Sequence, residues 1–473
     1  MQADFVQELQ RIVGAEDVLT SKRDLLAYEY DATVEKALPE AVVFVTSTEE
    51  VSAVMKLAHL NRVPVVPRGA GTNLSGGSLA VRGGIVLEMS RMRRLLEIDT
   101  ANQRAVVEPG CINLDLQNAL APFGFYYAPD PASQKVSTMG GNVGEDSGGP
   151  HCLKYGVTSN HVVGLEVVLS DGEVVHVGGA VEDSPGYDLT GLLVGSEGTL
   201  GIATTITVRI MRLPEAVKTL LGVYDRLEDV GRTVSDIIAH GIIPATLELM
   251  DRPVINAVED SVKAGYPRDA EAVLLIEVDG VADGLERQAE LIVDLCRKNH
   301  VREVRVAKGA AERDLLWSGR RGAFGAVARV RPSYLVQDGT VPRTELAAIL
   351  RMVMEIAAAH KVTVGNVAHA GDGNLHPLFM YDPKDRDEAR RVHEAGAEIL
   401  KACVDRQGTL SGEHGIGVEK QKMMPWRFGP VEMDVMARLK KVWDPTDLLN
   451  PGKILPPEHP AAQAGAWPER GEG

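Results

Sequence analysis

Glycine clustering constrains this chain more than any other feature. Of its 473 residues 48 are glycine, against an average usage of about 7%, and many gather in a few short segments. The first is Pro67-Arg68-Gly69-Ala70-Gly71-Thr72-Asn73-Leu74-Ser75-Gly76-Gly77, which follows a short predicted strand at 63–66. The second, 129–149, carries five glycines in its last ten residues and reads as a loop. Glycine lets backbone N–H groups approach a ligand closely enough to cradle a pyrophosphate. Neither segment ends in the Gly-Lys-Ser/Thr of a Walker A loop, and neither has G-x-G-x-x-G spacing at the start of a Rossmann helix. Either alone is equally compatible with a surface loop. Two of them in one strand-rich half call for a shared purpose.

Composition removes several classes. Acidic residues outnumber Lys and Arg by 66 to 50, a formal net charge of −16, and no basic run interrupts the acidity. Such a chain repels phosphate backbones, so nucleic-acid binding is not expected. No apolar stretch approaches the roughly 18 residues of a membrane span. Residues 1–14 lack the positive n-region of a signal peptide. The cysteines, Cys111, Cys152, Cys296 and Cys403, have neither metal-ligand nor redox spacing. No iron–sulfur cluster or four-cysteine zinc site is expected, and scattered thiols fit a reducing cytoplasm.

At about 150 residues per domain the length predicts three domains, or two large ones. The first half reads as mostly strands, at 63–66, 85–89, 105–108, a hairpin over 162–169 and 173–177, and 199–212. Helices are expected after a capping pair at Thr46 and Glu49, and at 113–121. Beyond about residue 215 strands and helices alternate: strand 272–278, helix 285–298, strand 301–306, helix 346–360, strand 361–369. That order predicts an α+β sheet with helices on one face. The expected domains are 1–214, 215–455 and a loose, proline-containing tail at 456–473.

A second cluster is His369-Ala370-Gly371-Asp372-Gly373-Asn374-Leu375-His376. A two-residue turn at Asp372-Gly373 would set His369 opposite His376. Opposed residues have Cβ atoms about 4.5–5.5 Å apart, close enough for two imidazoles to grip one divalent ion. From the residues alone, a plain polar pair in a hairpin is the favoured reading.

Together with Gly195-Ser196-Glu197-Gly198-Thr199-Leu200-Gly201, Ser411–Gly417 and Asn450–Leu455, these segments resemble the vanillyl-alcohol oxidase/p-cresol methylhydroxylase superfamily. Within it they are most similar to the glycolate oxidase D-subunit and D-lactate dehydrogenase group. The resemblance implies an α+β fold: a two-part PCMH-type FAD-binding domain followed by an α+β, ferredoxin-like substrate cap. It places FAD on Pro67, Arg68, Gly69, Ala70, Gly71, Thr72, Asn73, Gly76 and Gly77. It adds Pro131, Ser137, Gly140, Gly141, Asn142, Gly144, Ser147 and Gly148, then Glu197, Gly198, Gly201, Ile202 and Asn450. Thr72 stands where many relatives carry the histidine that holds flavin covalently, so non-covalent FAD is implied. Asp146 replaces a common amide, and a carboxylate facing the flavin there would lower its potential.

The resemblance also implies a divalent metal on His369, His376 and Glu413, with His414 as general base. Two histidines and a glutamate suit zinc, with manganese and iron as alternatives. Arg320 is the matching carboxylate clamp and Arg343 a second candidate. Relatives acting on 2-hydroxyglutarate carry Lys and Thr contacts where this chain has Val336 and Phe324, which implies a small or apolar substrate side chain.

The expected function is therefore FAD-dependent oxidation of a small D-2-hydroxy acid, glycolate or D-lactate, to the 2-oxo acid. Alternatives are a D-2-hydroxyglutarate or D-malate dehydrogenase, and the flavin subunit of a multi-subunit glycolate oxidase with little activity alone. A metallohydrolase would leave the glycine segments without purpose, and an alkylglycerone-phosphate synthase relative would need a membrane anchor that is not evident. Electrons are expected to leave to an iron–sulfur subunit, an electron-transfer flavoprotein or a quinone. A cytoplasmic protein, held at a membrane only through a partner and open to homo-oligomerisation, completes the expectation.

Overall fold

The computed structural model describes residues 1–181, 185–457 and 459. It divides into two compact units: Met1–Ser147 with Val157–Leu213 and the chain from Glu413, and Gly148–Gly156 with Pro214–Gly412. Among the described residues no helix is long and apolar enough to cross a membrane. Most of the expected tail, 458 and 460–473, lies outside the described residues.

The domain boundaries drawn from sequence differ from these units at two places. From Glu413 onward the chain belongs to the first unit, because buried polar groups hold it there. The Glu197 carboxylate accepts from the amides of Ile416 (2.7 Å) and Gly417 (2.8 Å), and the Asn450 amide donates to the carbonyls of Gly77 and Glu197, both at 2.7 Å. Conversely, 148–156 belongs to the second unit, where Lys154 Nζ donates to the Asp279 carbonyl (2.7 Å) and Tyr155 Oη to the Asp279 carboxylate (2.8 Å).

In the first unit a four-stranded sheet runs in the order Val18–Leu19, Ala41–Phe44, Ile85–Glu88, Val65–Arg68, the last three parallel. Parallel strands need a crossover, supplied by helix Thr48–Asn61. Its cap is Ser47, whose hydroxyl accepts from Glu50 N, while Thr46 N–H donates to the Glu50 carboxylate, so the capping pair sits one residue beyond Thr46 and Glu49. A five-stranded antiparallel sheet follows: Leu95–Asp99, Arg104–Val107, Ile202–Arg209, Val162–Val168, Val174–Gly178. Ile202–Arg209 alternates buried and half-buried residues, as a strand covered on one face should.

The second glycine segment is not a loop throughout, since Met139–Glu145 is a helix capped by the Thr138 hydroxyl, which accepts from Gly141 N. Helical glycine costs about 1 kcal/mol against alanine, so propensity argues against this helix. Close packing overrides it: a Cβ on Gly140 would lie 2.7 Å from Pro109 Cβ.

The second unit is built on an antiparallel sheet ordered Glu303–Val306, Ala216–Tyr224, Ala272–Gly280, Thr246–Asp251, Thr363–His369, Asn374–Tyr381, Ser333–Val336. Helices cover both faces, not one. Leu274 and Ile276 pack with helices Leu227–Ala239, Leu285–Lys298 and Leu346–His360, whereas Val273 and Leu275 pack with Arg252–Ser261 and Ala310–Val327. The strand at 272–278 is apolar at both parities, which is how a doubly covered strand reads.

The histidine hairpin has a different register from the expected one. His369 pairs with Asn374 and Val367 with His376, so the two histidines are diagonal neighbours on one face. Ala370 N donates to the Leu247 carbonyl (2.7 Å), which ends the ladder at His369 and leaves a four-residue turn closed by Gly373 N to the His369 carbonyl (3.1 Å).

Gly373 has φ +77°, and an added Cβ would lie 2.0 Å from the Val341 carbonyl oxygen. Gly373→Ala is therefore expected to cost on the order of 2 kcal/mol, read as a fall of roughly 4–8 °C in unfolding temperature. Asp251 caps helix Arg252–Ser261, and burial pushes its carboxyl from 3.8 up to about 7. The folded state therefore holds the proton more tightly. Its stabilising contribution is complete below about pH 4 and lost as pH rises through 7. Thermal melts should show the unmutated protein losing stability relative to Asp251→Asn between pH 5 and 8, and parallel curves would contradict this.

Candidate functional site

In the first unit the strand Val65–Arg68 delivers the first glycine segment. Among the described residues no protein group accepts from the amides of Gly69, Ala70, Gly71, Thr72 and Asn73, a run of five consecutive donors. Gly71 and Gly76 hold left-handed backbone, at φ +65° and +80°. Amides left together in this way fit a diphosphate, whose oxygens take the place of missing acceptors. The cradle therefore fits the pyrophosphate of FAD.

The second glycine segment lies against the first, since a Cβ on Gly69 would fall 2.2 Å from Thr138 Oγ1, just before Gly140 and Gly141. Other expected flavin residues brace this arrangement. Arg68 is buried, its Nη1 donating to Ser78, and Asn73 donates to Asp31 (2.7 Å). Pro67 packs on Gly198, Gly201 on Val167 beside Ile202, and Gly144 accepts through its carbonyl from Glu197 N (2.7 Å). The Asn142 side chain donates to Ser147 and accepts from Asn113. The carbonyls of Pro131 and Ser137 accept from Gln134 and Asn113. Gly148 belongs to the second unit. Asp146 ends helix Met139–Glu145 with its carboxylate taken by Ser159 N (2.7 Å) and Oγ (3.1 Å).

One carboxylate here was not foreseen. Glu145 lies beside Ser75 and Gly77, and burial, reinforced by the charge on Glu197, pushes its carboxyl well up. Lys420, fully buried, is its nearby counter-charge. A lone glutamate among glycines offers no periodic signal that would single it out.

In the second unit His369 and His376 lie with ring centroids 5.1 Å apart. His369 Nδ1 is 2.7 Å from Glu248 Oε1, and Arg320 Nε donates to Glu248 Oε2 at 2.7 Å. Glu248 has no exposed side-chain surface. Burial opposes its charge, but His369 and Arg320 outweigh that and hold the carboxyl below its ordinary range. An ionised carboxylate only accepts, so His369 Nδ1 is the donor in this pair and Nε2 is the ligand-type nitrogen. That outer-shell arrangement is typical of a metal-ligating histidine, and the pair fits zinc. His376 Nδ1 is 3.9 Å from Asp338, which accepts from Asn374 (2.8 Å), Ser411 (2.5 Å) and Gly412 N (3.0 Å). Gly412, so anchored, is followed directly in the chain by Glu413 and His414.

Phe324 stacks obliquely 6.3 Å from His376, and Val336 is buried nearby on the sheet. Arg343 opens the short turn after Pro342, its amide next to Gly373. The sequence did not point to Glu248 or Asp338. Glu248 lies between Leu247 and Leu249 in the strand Thr246–Asp251, and an acid flanked by leucines was the available signal.

Comparison with known proteins agrees with both halves. Residues 39–178 match the FAD binding domain family and 213–454 the family of FAD linked oxidases, C-terminal domain. The chain is 44% identical over 454 residues to glycolate oxidase subunit GlcD of Bacillus subtilis (strain 168), covering 96% of this chain and 97% of that one. It is 35% identical over 432 residues to a D-lactate dehydrogenase of Anaerostipes hadrus, covering 89% and 90%. The fold is shared with p-cresol methylhydroxylase, at a TM-score of 0.79 and 18% identity over 96% of both chains. With a diphosphate cradle in one unit and its C-terminal family domain matched over more than half its length, this chain belongs to the FAD-linked oxidases and is an FAD-dependent oxidoreductase.

Proposed function

We propose that the protein oxidises a small D-2-hydroxy acid, glycolate or D-lactate, to the corresponding 2-oxo acid. The observation that carries this is the pairing of Arg320 and His369 on one buried carboxylate, Glu248, which sets a carboxylate-binding fork beside a ligand-type histidine pair. Relatives named as a glycolate oxidase subunit and a D-lactate dehydrogenase support the same substrate class.

FAD supplies the hydride acceptor, and a divalent ion, zinc by its donors, supplies the Lewis acidity that makes an α-hydroxyl easier to deprotonate. Gly69–Asn73 and the second glycine segment would hold the FAD, and His369, His376 and Glu413 the metal. The Arg320 Nη groups bind the substrate carboxylate as a fork, since Nε is committed to Glu248. His414 takes the hydroxyl proton on an imidazole nitrogen, the part of a general base. Arg343 is the second cation available to the substrate.

Phe324 beside His376, with Val336 apolar, disfavours the second carboxylate of 2-hydroxyglutarate or malate. Electrons would leave the bound cofactor to a separate carrier: an iron–sulfur subunit, an electron-transfer flavoprotein or a quinone. The word subunit in the GlcD name supports such a partner. The protein works in the cytoplasm, and any membrane association comes through that partner.

Anaerobic mixing with glycolate, D-lactate, L-lactate, D-malate and D-2-hydroxyglutarate should bleach the flavin band with one of the first two, and a chelator should abolish the bleaching. A yellow protein that none of them bleaches would overturn the reading. His414→Asn should slow flavin reduction by about 10²- to 10⁴-fold without lowering the unfolding temperature. Because Thr72 cannot form a histidyl link, acid precipitation should leave all the yellow colour in the supernatant and none in the pellet.

A further inference from the structure

Glu248 lies in a central strand of the second unit, with Ala272–Gly280 on one side and Thr363–His369 on the other, and is the registered partner of His369. Its strand neighbours Leu247 and Leu249 are buried apolar residues, and Met250, on its own face of the sheet, packs with helix Ala310–Val327. Packing at this position does not call for a charge. A carboxylate placed there with no exposed surface and one donor on each oxygen points to a task that needs two directed acceptors.

We infer that Glu248 is a positioning residue that fixes the substrate-binding arginine and the metal-binding histidine together, so that substrate carboxylate and metal are held in one frame. The inference rests on the roles proposed above for Arg320, His369 and His376. On the His369 side, an acceptor-only carboxylate keeps the proton on Nδ1 and leaves Nε2 to ligate. On the Arg320 side, the bond at Nε fixes the plane of the guanidinium and leaves its Nη edge as the fork. A shift of either group moves the carboxylate and thereby the other. Glutamine keeps the shape of Glu248 but offers one acceptor and one donor. It must either turn its NH2 on Arg320 Nε or push His369 into the tautomer whose Nε2 bears hydrogen.

The test uses the full chain with FAD bound, stripped of metal and titrated with zinc against a chromophoric chelator. The unmutated protein is compared with Glu248→Gln, Glu248→Asp and His369→Ala, and the absorption of each after cobalt(II) loading is recorded. Glu248→Gln should bind zinc about 10- to 100-fold more weakly, change the cobalt spectrum and raise KM for the hydroxy acid more than it lowers kcat, while FAD content stays the same. Glu248→Asp, which keeps two acceptors on a shorter arm, should recover part of the zinc affinity.

Unchanged zinc affinity and cobalt spectrum in Glu248→Gln, with His369→Ala losing zinc, would overturn the role of Glu248 and leave the metal site standing. Zinc binding absent from the unmutated protein, or untouched by His369→Ala, would remove the metal reading and this inference with it. Failure of both Glu248 variants to fold would show that the residue serves stability alone.

Discussion

Taking a carboxylate out of water is costly unless N–H and O–H groups replace the lost hydration. That constraint organises both units of this protein. Glu197 is satisfied by the amides of Ile416 and Gly417, and so brings the last part of the chain back onto the first unit. Glu248 is satisfied by Arg320 and His369, which fixes a helix and a strand of the second unit against a third element. Asp338 is satisfied by Asn374, Ser411 and Gly412, which ties the end of the second unit's chain to the histidine hairpin. In each case the donors lie far along the chain from the carboxylate, so the bonds determine which segments can lie side by side.

The glycine segments answer the opposite problem, donors without acceptors. Five amides from Gly69 to Asn73 have no protein partner among the described residues, in a half-buried segment exposed at Ala70. Unpaired amides in such a place are tolerated when a ligand supplies the acceptors, and a diphosphate does so without needing side chains. Other glycines have a plainer role. Gly140, Gly198 and Gly201 are small because Pro109, Pro67 and Val167 leave no room for a Cβ. Abundance of glycine therefore reflects two separate demands, ligand approach and close packing, that look alike in a sequence.

Much of the architecture was legible. Helices Leu285–Lys298 and Leu346–His360 lie where apolar periodicity puts them, and the hairpin of Val162–Val168 with Val174–Gly178 turns as its Asp-Gly predicts. The failures share a cause. Helix Met139–Glu145 forms against its own glycine content because Thr138 caps it and Pro109 packs on it. The histidine turn has four residues where two were expected because Ala370 bonds to Leu247 on a different strand. Helices on both faces of the second sheet follow from apolar residues at both parities, a pattern that a short window does not separate from a buried helix.

The sequence by itself determined the family, the presence of FAD-binding segments and the chemical kinds of side chain available, because those depend on residue identity and order. Tertiary structure decided which of them cooperate. Glu248 and Asp338 are inconspicuous in the chain, one between two leucines of a strand and the other ahead of a short strand. They matter only because sheet register brings His369 opposite Glu248 and the bridge between Thr409 and Thr340 brings Ser411 to Asp338. Local sequence encodes local preference, whereas a buried charge is satisfied by partners tens to hundreds of residues away, and only the folded chain reveals who they are.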